Sequence, residues 1–167
     1  MNWLDIALIL GLLVFFAGGL QDVSIKQVFS FGFLVLAIGI AGFSHEFFAS
    51  YLGILPKSWA HIAAFGIPFC AVTGTLTLLL SRFADRFHFG EGSFINRFIG
   101  GLIGMAGGIT VVELFAVLVL AYPVLTLEVA AQESELLHLL FRELPITANF
   151  LPATILRAAQ AAASFVQ

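Results

Sequence analysis

The hydrophobic pattern is four long apolar runs set apart by short polar intervals, followed by a stretch in which apolar residues recur at helical spacing. Ile6 to Leu20 carries no charge, and in Val28 to Phe43 Ser30 is the only strongly polar side chain. Ile62 to Leu80 is again uncharged, and the fourth run, about Phe98 to Ala121, is interrupted only by Glu113. A hydrocarbon core of about 30 Å takes roughly 17–25 apolar residues of helix. Lipid offers no water to open backbone groups, so each run is expected to form a transmembrane helix. The first two spans are near the lower length limit and predict a tight hairpin through Gln21–Gln27. Ser44–Trp59 and Arg82–Arg97 read as longer connections, and Pro68 should kink or loosen the third helix.

Beyond Pro123, Leu125, Val129, Leu136, Leu140 and Leu144 recur at a roughly helical interval. After Pro152 the chain is alanine-rich, with Arg157, Gln160 and Ser164 opposite Ile155, Ala159, Ala162 and Val166. Two amphipathic helices are expected here, on the membrane surface or folded against the bundle. The predicted fold class is an all-α membrane protein: a four-span domain over residues 1–121 and a C-terminal amphipathic helical tail over 122–167.

Gly100, Gly104 and Gly108 recur every four residues and align on one helix face. Glycine weakens a helix in water. In lipid it lets a second backbone approach closely, where packing holds helices together. Gly32, Gly39 and Gly42 offer the same opportunity on the second span.

Composition sharpens this picture. The chain is 60% hydrophobic and 10% charged, against about 25% charged in soluble domains, which excludes a soluble domain. The net charge of −3 supplies no clustered basic face for nucleic acid. Cys70 stands alone, so no intrachain disulfide or zinc framework is available. The first span has no Lys or Arg ahead of it, carries Asp5 instead, and lacks a small-x-small cleavage site, so it reads as an anchored helix. Lys26, Arg82, Arg86 and Arg97 lie near the membrane on one side and Lys57 alone on the other. The positive-inside rule then places the first set in the cytoplasm and both termini outside.

Candidate chemistry is sparse. Glu113 stands mid-span, where a carboxylate is costly unless protonated or paired, so it should face protein or water. Thr73 and Thr77 are the hydroxyls expected to meet it if the third and fourth spans pack antiparallel. Cys70, Thr73, Thr77 and Ser81 share one helical face. Two readings stand for it: hydroxyls bonded back to carbonyls one turn earlier, or a polar stripe on a solute path. Asp5 reads as a solvated interfacial carboxylate. His45, His61, His88 and His138 show no ligand spacing, so no metal site is expected. No catalytic residue and no cofactor site is assigned.

Trp3-Leu4-Asp5 opens the first span, Lys26-Gln27-x-x-Ser30 the second, and Asn96-Arg97-x-x-Gly100-x-x-x-Gly104 leads through Gly107-Gly108 into the last. In these motifs and their spacing, over roughly Met1 to Ala121, the chain resembles the colicin V production protein family of bacterial inner-membrane proteins. It departs from the family pattern at Asp22-Val23, Asn96, Gly107 and Glu113. The resemblance implies a multi-pass inner-membrane protein with a role in toxin production or export, and family-motif residues Trp3, Asp5, Lys26, Asn96 and Arg97. Related domains also occur joined to an extracytoplasmic serine protease, which fits an outside C-terminus; no Ser/His/Asp constellation can be argued here. The expected function is therefore a non-enzymatic scaffold or accessory protein in toxin export or envelope homeostasis. The alternative is a subunit of a small oligomeric transporter or channel using Glu113. Expected partners are the bilayer, further copies of the chain, or another membrane or periplasmic protein.

Overall fold

The computed structural model describes residues 2–21, 24–84, 93–122, 127–143 and 157. It is helical, with no strand among the described residues. Four long helices follow one another: α1 (Trp3–Gln21), α2 (Ser24–Tyr51), α3 (Lys57–Ala84) and α4 (Phe94–Ala121). All four are long and apolar enough to cross a membrane. Two short helices complete the described chain, α5 (Leu127–Gln132) and α6 (Glu135–Glu143).

The helices are longer than the apolar runs alone. α2 continues through Ser44–Tyr51, leaving only residues 52–56 between it and α3. The polar residues there do not break the helix, because Ser44 donates to the Ile40 carbonyl at 2.8 Å and Ser50 to the Phe47 carbonyl at 2.7 Å. Such bonds satisfy a hydroxyl within the helix itself. Pro56 lies just ahead of α3, where its missing N–H costs nothing, and its carbonyl accepts from Ala60 at 2.9 Å. α3 runs on through the buried Pro68. α4 starts earlier than its apolar run because Ser93 caps it, accepting from the Asn96 N–H.

α4 is the most enclosed of the long helices. α1 lies along it on one side and α2 on the other, while α3 packs on the far side of α2. The spatial order is therefore α1–α4–α2–α3, with α1 and α3 at the edges. One core joins Leu4 of α1, Ile109, Val112 and Ala116 of α4, Ala130 and Ala131 of α5, and Leu137 and Leu140 of α6. A second joins Ile38 and Ala41 of α2, Phe65 of α3, and Leu114 and Val117 of α4. The expected helix through Leu125–Leu144 is thus two helices, parted at Ser134. The later amphipathic segment beyond Pro152 lies outside the described residues except Arg157, which is helical and exposed.

Candidate functional site

Gly100, Gly101, Gly104 and Gly108 of α4 form its seam with α1, while Gly107 faces α2. A Cβ on Gly104 would stand 2.7 Å from the Phe15 carbonyl oxygen and 3.1 Å from Gly19 Cα. One on Gly108 would meet the Phe15 side chain at 2.8 Å. Gly100, also buried, presents its carbonyl to Gly19, where no Cβ could fit. Backbone thus meets backbone, as small residues permit in lipid. Gly19 on α1 is the half of this seam that the every-fourth-residue pattern missed, and the Gly18-Gly19 pair at the end of the first span was its signal. Gly32 and Gly39, in contrast, have no neighbour within 4 Å of a built Cβ, and the close approach expected there is corrected.

Asp5 is also a correction. Only 1% of it is exposed, and it makes three hydrogen bonds rather than facing solvent. It accepts from the Asn2 N–H at 2.6 Å, from the Ser134 hydroxyl at 2.5 Å and from the Leu136 N–H at 3.2 Å. Ser134 in turn accepts from the Leu137 N–H at 3.2 Å. The first amides of a helix have no intrahelical acceptor and carry partial positive charge, so a carboxylate there is well placed. Asp5 therefore latches the start of α1 to the start of α6. Trp3, beside it, is 59% exposed, as suits an interfacial aromatic.

Glu113 has no exposed surface. Its neighbours in sequence, Val112 and Leu114, belong to the two different cores, so it stands where the α1 and α2 faces of α4 meet. The hydroxyl of Thr73 is buried with no hydrogen-bond partner, so it is not bonded to Glu113. The reason is topological: α3 packs on α2 and leaves no continuous seam with α4.

Thr73 and Thr77 instead line a cleft of about 500 Å³ to which all four long helices contribute, with Gly104, Gly107 and Val111 on its α4 wall. Cys70 is exposed and lies outside it. Ser81 is exposed and donates to the Leu78 carbonyl at 2.9 Å. Of the stripe, Thr73 and Thr77 thus share the cleft, while Cys70 and Ser81 lie outside it. Lys26, Asn96 and Arg97 fall where α2 and α4 begin, at the same end as this cleft, and Arg97 is exposed.

At the opposite end, the short α2–α3 connection brings together two histidines that sequence spacing kept apart. His45 is 3% exposed, and its ring centroid lies 5.5 Å from that of His61. His61 stacks on Tyr122 at 4.6 Å with an 11° tilt. His45 Nε2 and the Tyr122 hydroxyl are hydrogen-bonded at 3.2 Å. Burial, and after it the Glu46 carboxylate, pushes the Tyr122 phenol above its ordinary range, so it takes part as a hydroxyl. Tyr122 also caps α4 through its N–H to the Leu118 carbonyl at 2.9 Å, and so ties α4 to the α2–α3 pair. Among the described residues no three His, Cys, Asp or Glu side chains gather as metal ligands would.

Four spanning helices around a sealed glycine seam, with a short helical pair folded back on α1 and α4, define a multi-pass α-helical membrane protein. The family model described as colicin V production protein matches residues 4–145, and the chain belongs to that family. The match takes in α5 and α6 as well as the four spans. No curated protein and no solved structure matches the chain.

Proposed function

We propose that this chain is a non-enzymatic accessory protein of the bacterial inner membrane, a scaffold for toxin production or export, or for envelope homeostasis. The observation that carries this reading is the separation of its polar groups. Glu113 is buried between two apolar cores and is not on the wall of the cleft, Cys70 faces outward, and Asp5 is engaged in a structural latch. A transport path needs its titratable group and its polar stripe on one route, as intramembrane charges otherwise face the bundle interior for packing reasons alone. The surfaces left for partners are the exposed faces of α1 and α3 at the two edges, open to a further copy or to another membrane or periplasmic protein.

The test is complementation. Glu113→Gln keeps size and hydrogen bonding, so it should restore toxin export or envelope integrity in a deletion strain to at least about half of the native level. Glu113→Leu, which removes the hydrogen-bonding group altogether, should be expressed less well. Loss of function in Glu113→Gln at normal abundance would favour the transport reading instead.

The orientation proposed for this protein has both termini in the periplasm, supported by Lys26, Arg82, Arg86 and Arg97 against Lys57. A periplasm-dependent reporter fused after Gln167 should be active and one inserted at Gly90 inactive. The opposite pattern would invert the orientation.

A further inference from the structure

The cleft between α1 and α3 is a feature the accessory role does not use. Its apolar walls include the rings of Phe15, Phe31 and Phe69, while Gln27, Ser30 and Thr77 give it a polar mouth. At about 500 Å³ it has the size of a small-molecule site, roughly 300–1,000 Å³. That is under half of the ~1,200 Å³ displaced by 15 Å of a helix about 10 Å across.

Among the described residues, the charge around that mouth is of one sign. Lys26 directly precedes Gln27, and Arg82 follows Thr77 by five residues. Arg97 precedes Ile103, another lining residue, by six. At 1.5 Å per residue, the two arginines lie roughly 8–9 Å along their helices from the lining positions, at headgroup depth. Both are exposed. No carboxylate of the described residues lies at this end: Asp5, Glu46, Glu133 and Glu135 belong to the other end and Glu113 to the mid-span.

We propose that the cleft is a lipid-binding site, holding one acyl chain of an anionic glycerophospholipid whose phosphodiester headgroup is recognised by Lys26, Arg82 and Arg97. An apolar slot with a polar, cationic rim fits that amphiphile, since basic residues near the membrane surface favour anionic over zwitterionic lipid several-fold each. The site stands whether or not the accessory reading does, because it needs neither a toxin nor a partner protein.

Native mass spectrometry of the full chain, released from mixed micelles with equal phosphatidylglycerol and phosphatidylcholine, tests it. One phosphatidylglycerol should be retained per chain, in about tenfold preference to phosphatidylcholine. Ser30→Trp, which projects a ring into the cleft from an exposed position, should lower retention about tenfold, and Thr77→Trp provides the same test should Ser30→Trp not fold. The double variant Arg82→Gln, Arg97→Gln should keep a bound lipid but lose the headgroup preference. Gly39→Leu, outside the cleft, should change nothing. No stoichiometric lipid, retention equal in native and tryptophan variants, or a lipid-free dimer that the tryptophan variants dissociate would each overturn the proposal.

Discussion

Gly104→Leu should destabilise this protein strongly, as should Gly19→Leu across the same seam. Any Cβ at that position meets the carbonyl oxygen of Phe15 at 2.7 Å and the Cα of Gly19 at 3.1 Å, and both are backbone atoms. A side chain could rotate away; these cannot, so α1 and α4 must part along their length. Overpacking a filled core costs about 1–3 kcal/mol, and leucine at a backbone contact is expected at the upper end, about 3 kcal/mol. Two controls set the scale. Leu102→Ala, at a residue 44% exposed, should stay within about 0.5 kcal/mol. Gly107→Ala should be neutral or stabilising by up to about 1 kcal/mol, because its Cβ meets nothing closer than 3.8 Å and alanine is the better helix former. Thermal unfolding in detergent reads all three, and equal small effects at Gly104 and Leu102 would contradict the seam.

The second large effect is expected at the latch. Asp5→Ala removes the shared acceptor of the Ser134 hydroxyl and the Leu136 N–H, so the beginning of α6 loses its hold on α1. The first amides of α6 should then exchange with solvent much faster, and a glutamate-specific protease should cut at the exposed Glu133 and Glu135 in the folded protein. Asp5→Asn keeps an acceptor oxygen and should give an intermediate rate. Ser134→Ala deletes the cap of α6 itself, at a cost of about 0.5–2 kcal/mol. Unchanged exchange at Leu136 in Asp5→Ala would show that α6 is held by Leu137 and Leu140 alone.

Different parts of this architecture were legible in the sequence to different degrees, for physical reasons. The four spans could be read because lipid permits only helices across it, and uncharged runs of that length have no other use. Helix ends could not, since at the interface polar residues such as Ser44 and Ser50 satisfy themselves within the helix and continue it. The burial of Glu113 followed from its depth, but its surroundings depended on the order α1–α4–α2–α3, which local pattern does not encode. Asp5 was misread because its partner is 129 residues away. Ser134 ahead of an apolar helical run was a visible capping signal, yet nothing pointed from it to Asp5. His45 and His61 meet only because the α2–α3 connection is five residues long, far shorter than the polar stretch around it.

The cleft and the seam together describe a membrane protein that is closed along α1–α4 and open between α1 and α3. On the reading proposed above, its ionisable groups hold helices rather than move charge, as Asp5 does between α1 and α6. The most direct test of that account is ion flux through the full chain reconstituted in proteoliposomes, native protein beside Glu113→Gln. The account predicts that proton and monovalent-cation leak in both preparations equals that of protein-free liposomes at every pH measured. A flux present with the native chain and abolished by Glu113→Gln would contradict it, and would make the buried carboxylate the working part of a conducting path.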